Sequence, residues 1–209
     1  APTVSSFSMS DTALKSGDTS TVTIVFSEAV AGFSNADITV VNGNLSTMSS
    51  SDNITWTGTY TPSSNVEDST NVLTLGTNWT DTAGNAYAGS ATDTANFTID
   101  TKVPTISADT QVSTPSNDTT PSYVFTTDKA GTITTNITQG ISSNTSASVG
   151  SNTVTFNTLP ENTYANKTIT LTDSAGNSSS LTLDTFVIDT TAPTVSSFSM
   201  SDTALKSGD

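Results

Sequence analysis

The sequence contains no cysteine and no histidine. Without cysteine no disulfide staples the fold and no thiolate site exists. Without histidine the commonest general base and the commonest transition-metal ligand are missing, and a Ser-His-Asp triad is impossible. Positive charge is scarce: 5 basic residues stand against 19 acidic ones, for a net charge of −14 over 209 residues. That balance repels nucleic acid and anionic lipid, which are bound through clustered Lys and Arg. It suits the binding of divalent cations, or solubility in salty water. No apolar run approaches the length of a membrane span, so no membrane insertion is expected of this segment. No signal peptide opens the chain, which therefore reads as an excised fragment. Glycines occur singly, in turns, and form no phosphate-binding loop. Acidic chains with few aromatics tend to disorder. Here 33% of the residues are hydrophobic, however, and they fall in alternating runs.

Roughly two residues in five are Ser or Thr, far above average usage. Thr favours strands, whereas Ser favours turns and solvated faces. The dominant feature is an internal repeat: residues 1–18, APTVSSFSMSDTALKSGD, recur letter for letter at 192–209. The chain is thus one period of 191 residues followed by the start of another copy. A weaker repeat halves the period. FTIDTKVPT at 97–105 matches FVIDTTAPT at 186–194, and TDTAGN at 80–85 matches TDSAGN at 172–177. Each half ends in a turn, a strand and an Asp-Thr-x-x-Pro hinge.

Period-2 alternation marks strands at Val22-Ile24-Phe26, Ile54-Trp56-Tyr60, Ile133-Ile137 and Ile169-Leu171. Asn42-Gly43, between Val40-Val41 and Leu45, predicts a two-residue hairpin. Asp-x-Ala-Gly-Asn predicts a turn with one residue at positive φ. No segment sustains a helical period. The predicted fold is all-β: two tandem immunoglobulin-like β-sandwiches, residues 1–100 and 101–190, plus the first strand of a following repeat in 191–209.

VTIVFSEAV with ADITV, then WTDTAGN and FTIDTKVPT, resembles the bacterial Ig-like tandem repeats of large cell-surface adhesins. STPSNDTTPSYVFTTDKAGTITTNI, TITLTDSAGNSSS and FVIDTTAPT resemble a second Ig-like type that alternates in such arrays. The resemblance implies an extracellular, non-enzymatic extender on a bacterial surface that holds a ligand-binding tip away from the cell. It also implies neighbouring repeats as partners and calcium at domain junctions, which stiffens the rod.

Calcium takes six to eight oxygen ligands, and carboxylates from several loops can supply them. In Ig topology the B–C and F–G loops lie at the domain's N-terminal end, where the incoming linker arrives. This predicts that Asp128, Asp173 and the linker's Asp100 converge at the second domain, with Asn177 nearby. In the first domain Glu28 and Asp81, with Asn85, are the expected equivalents, and Asp189 should serve the next copy as Asp100 serves this one. Lys102, beside Asp100, could replace a metal with an ion pair. Asp11, Asp18 and Asp118 fall in A–B loops at the opposite end and read as solvated turn residues. An Asp in an Asx-turn commonly caps its own backbone and binds nothing.

Paired carboxylates can also hydrolyse glycosides, but these acids lie on turns with few aromatics nearby. Trp56 reads as core, and Trp79 as packing under the F–G turn. The repeated 18-residue segment allows a self-assembling fibre or sheath, the tail of one molecule replacing the first strand of an identical one head to tail. A carbohydrate- or protein-binding Ig-like module is a further alternative, favoured by an exposed aromatic cluster.

Overall fold

The computed structural model describes residues 1–201 and 207. Among these, every regular element is a strand except one 3-10 turn, Asn35–Asp37. The strands build two β-sandwiches with separate hydrophobic cores, one drawn from residues between Phe7 and Ile99, the other from residues between Val112 and Ile188.

In the first sandwich one sheet runs in the order Val4–Met9, Ser20–Phe26, Thr55–Pro62, Gly43–Leu45. Alternation decides which side chains it buries. Val22, Ile24 and Phe26 point inward and are at most 1% exposed, while Thr21 faces solvent. The opposite face is shorter-stranded. There Phe97–Asp100 lies between Glu67–Asn71 and a parallel Ala13–Lys15. The second sandwich sets Ile106–Thr110, Ser122–Thr127, Gly150–Phe156 and Ile141–Ser143 in one sheet. A second sheet holds Ser146–Ala147, Gly131–Thr135, Thr168–Thr172 and Ser178–Thr182. Ile133 lies opposite Leu171 across it, and both are buried.

The expected tryptophan roles hold. Trp79 is 1% exposed, packs on Phe26 at 4.5 Å between ring centroids and stacks on Tyr87 at 4.4 Å. Such pairs contribute about 0.5–1.5 kcal/mol each beyond area burial. Trp56 is half-buried and packs against the same core, edge-on to Phe33.

The Asn42-Gly43 hairpin does not form. Ile38–Thr39 pairs with Thr74–Leu75, whereas Gly43–Leu45 pairs with Thr55–Pro62, so the dipeptide carries the chain from one sheet to the other. Asn42 does take positive φ, 49°, but its amide donates to Asp68 and Asn71 rather than closing a two-strand turn. Gly43 is needed for close approach: a Cβ there would lie 2.5 Å from the Tyr60 ring and 2.6 Å from the Thr61 carbonyl.

The repeated segment has two outcomes. In residues 1–18 it forms Val4–Met9 and pairs with Ser20–Phe26. In the second copy, residues 192–200 form no strand and are exposed throughout. The strand expected at Val195–Met200 is not formed. Residues 202–206, 208 and 209 of that copy lie outside the described residues.

Candidate functional site at the joint between the sandwiches

The Asp-x-Ala-Gly-Asn segments fold into the same turn in both sandwiches. Asp81 Oδ1 accepts the N–H of Ala83 and of Asn85, at 2.9 and 2.8 Å. Asp173 Oδ1 accepts the N–H of Ala175 and of Asn177, at 3.1 and 2.9 Å. The glycine of each turn carries positive φ, 87° at Gly84 and 93° at Gly176. The side-chain and backbone donors of Asn85 hold the Asp81 carboxyl below the usual carboxylate range.

Among the described residues, the second turn is the one that meets another sandwich. Asn177 Oδ1 accepts the Ser16 N–H at 3.0 Å, and its Nδ2 donates to the Asp100 carbonyl at 2.9 Å. One buried asparagine thus joins the loop after Ala13–Lys15, the linker and its own turn. Asp11 and Asp18, expected as solvated turn residues, accept from Ala13 and Lys15 of their own loop. Asp118 likewise accepts from Thr120.

Of the acids predicted to converge here, Asp100 and Asp173 do meet, through Lys129. Its ammonium donates to Asp100 Oδ1 and Oδ2 at 2.7 and 2.8 Å and to Asp173 Oδ2 at 3.0 Å. Glu67 lies farther out, at 3.7 Å. The Lys129 side chain is 8% exposed, so these charges interact in a medium less polar than water. Burial by itself lowers the Lys129 pKa, but Asp100 and Asp173 outweigh it and hold it above the ordinary lysine value. Burial likewise raises Asp173, but donation from Lys129 and Asn177 outweighs it and keeps that carboxyl below its usual range. A crevice of about 260 Å³ opens beside the cluster, lined by Glu67, Asp100, Asp128, Lys129 and Asp173 among others.

Asp128 is drawn aside. Its Oδ1 accepts the Thr105 N–H at 2.7 Å and its Oδ2 lies 3.4 Å from Lys102 Nζ. The Thr105 N–H holds its carboxyl below the ordinary range, with Lys102 adding to the effect. Lys102 therefore does form an ion pair at this joint, with Asp128 rather than Asp100. Among the described residues, no group of three or more acidic side chains is arranged to hold a metal ion.

Strand register corrects one expected equivalence. Val4 lies opposite Phe26, and Ile106 opposite Thr127. The next residues are Ser27 and Asp128, and each accepts the N–H of the threonine after the linker proline, Thr3 or Thr105. The counterpart of Asp128 is therefore Ser27, and Glu28 stands at the position of Lys129. Glu28 is half-exposed and lies 4.0 Å from the Ala1 amino group.

Bacterial Ig-like domains match residues 1–99 as a family. Over that span the chain is similar to a bacterial Ig-like domain. A search of the curated proteins finds no match to the chain. Residues beyond 99 lie outside the family match, and the second sandwich shares with the Ig-like domain the Asp-x-Ala-Gly-Asn turn and the register described above.

Sequence reasoning missed Lys129, Glu67 and Glu161. Glu161 accepts from Thr190 Oγ1 at 2.9 Å and from Thr191 Oγ1 at 2.8 Å. Those donors, Thr191 first, hold its carboxyl below the usual range. It precedes Asn162, which pairs with Ile188, and so lies beside the second linker as Glu67 lies beside the first, opposite Asp100. Aligning the halves on the pattern VFSE against FTTDK, with buried positions in phase, would have exposed the Glu28–Lys129 exchange.

Proposed function

We propose that the chain is an extender segment of a repetitive bacterial surface adhesin or fibre, in which Ig-like sandwiches are joined end to end. The observation that carries this reading is the joint itself. Asn177, Lys129 and Asp100 tie the loop at Ser16, the linker and two loops of the second sandwich into one bonded set. Bonds from both sides of a linker restrict hinge motion, which a spacer requires. The turn acids Asp81 and Asp173 are occupied in closing their own turns. The Ig-like family and the charge balance agree with an extracellular, non-catalytic role.

We place calcium at the other kind of joint, where this period meets the next copy. Asp189 and Glu161 hold there the positions of Asp100 and Glu67, and a following copy that continues as the first does would add its equivalents of Glu28 and Asp81. All four are acids. Hard oxygen donors of this kind suit calcium, which would supply charge neutralisation and a fixed linker. Asp189 is already oriented, its backbone N–H on the Ser116 carbonyl and its Oδ1 accepting from Thr191. The test is small-angle scattering of a chain carrying two complete periods. The expected result is an extended, narrow distance distribution in calcium that broadens in chelator. The same shape in both would end the calcium assignment.

Strand exchange is a second reading, favoured by the exposed Val195 and Phe198, whose copies Val4 and Phe7 pack on the first core. Sedimentation of the chain with and without residues 192–209 tests it. Equal values rule it out.

A further inference from the structure

We propose that the Lys129 ammonium is a built-in cation that locks the joint between the two sandwiches without metal, so that joints of two kinds alternate along the array. The proposal deepens the extender reading, because it concerns what stiffens one joint of each period.

An ammonium has three N–H donors, and three carboxylate oxygens of Asp100 and Asp173 lie within 3.0 Å of this one. Those carboxylates come from separate elements, the end of strand Phe97–Asp100 and the turn after Thr168–Thr172, and Lys129 comes from a third, the loop after Ser122–Thr127. The backbone of Lys129 is fixed as well: its N–H donates to Thr127 Oγ1, and the Thr127 hydroxyl donates to its carbonyl. The nitrogen therefore sits where a metal would have to sit to reach Asp100 and Asp173 together. A divalent ion entering there would approach a buried ammonium at close range, and like charges repel strongly in such a site. Asp128, the third predicted ligand, is engaged by Thr105 and Lys102.

The register supplies the second half of the argument. At the first joint the four positions are Asp100, Glu67, Lys129 and Asp173: three acids and one lysine. If a following copy continues as residues 1–100 do, its equivalents of Glu28 and Asp81 would meet Asp189 and Glu161: four acids. One exchange, Lys129 for Glu28, separates a joint that carries its own cation from one that must recruit a cation. Removing calcium would then soften every second joint and leave the rest stiff, giving a chain of rigid two-sandwich units.

The 209-residue chain contains only the first kind of joint complete, so it tests this proposal apart from the calcium assignment at the other. Small-angle scattering and thermal unfolding are recorded in calcium and in chelator for the unaltered chain, K129E and K129Q. The unaltered chain should give one scattering profile in both conditions. K129E places four acids at the joint, and its distance distribution should broaden in chelator and narrow again in calcium. K129Q removes the ammonium without adding charge, and it should broaden in both conditions while keeping two folded sandwiches, which covers the case of K129E failing to fold. A chelator-dependent profile of the unaltered chain, or a K129Q profile identical to it, would overturn the proposal. A two-period chain that ignores chelator would instead count against calcium at the alternate joint and leave the Lys129 lock standing.

Discussion

The eighteen residues that occur twice allow one substitution to be made in two environments. Phe7 is 8% exposed and belongs to the first core, whereas Phe198, the same residue of the second copy, is 92% exposed. Truncating a buried Phe to Ala costs about 3–5 kcal/mol, from lost transfer free energy plus the cavity left behind. Phe7 lies on an edge strand and retains some exposure, so F7A should fall near the lower end, about 3 kcal/mol. F198A removes a ring already in water and should cost no more than about 0.5 kcal/mol. Both tryptophans, Trp56 and Trp79, lie in the first sandwich, so fluorescence during urea unfolding follows that sandwich alone. With a urea slope of about 2 kcal/mol per molar, F7A should lower the fluorescence midpoint by about 1.5 M and F198A by less than about 0.25 M. Equal shifts would refute the assignment of Phe7 to the core and of Phe198 to solvent.

Two other outcomes follow from the first sandwich. G43A would drive a methyl group into the Tyr60 ring, which is fully buried and hydrogen-bonded to the Val41 carbonyl at 2.7 Å. Overpacking of this kind costs about 1–3 kcal/mol, and a G43A midpoint equal to that of the unaltered chain would contradict the close approach. Burial pushes the Tyr60 hydroxyl up to about 12. A pKa raised by folding means stability is complete below the unfolded value, near 10, and is lost as pH rises toward the folded value. Unfolding midpoints of the first sandwich should therefore fall between about pH 10 and pH 12, and Y60F should reduce that fall. A midpoint independent of pH there would exclude this burial.

The sequence by itself determined the class of fold and much of the core. Alternation at Val22-Ile24-Phe26 and at Ile169-Leu171 is a one-dimensional signal, because successive side chains of a strand point to opposite faces. The Asp-x-Ala-Gly-Asn turns were equally legible, since the Asp Oδ1 that closes each turn accepts from N–H groups two and four residues on and the Gly relieves a local backbone constraint. Which charges meet at the joint was half legible. Asp100 and Asp173 could be brought together from topology, but their separation in sequence says nothing of what lies between them. That depended on register: a shift of one position puts Lys129, rather than Asp128, opposite the linker carboxylate. The hairpin expected at Asn42-Gly43 failed for a related reason, since the same dipeptide turn can close two strands or carry the chain across a sandwich, and the partners of each strand decide. The repeated segment makes the limit plainest. Val4–Met9 is a strand because Ser20–Phe26 presents its backbone donors and acceptors and its core receives Phe7. The same letters at Val195–Met200 form no strand and are exposed. Local sequence supplies a preference for extended backbone, but hydrogen-bond partners and a core to enter come only from the rest of the fold.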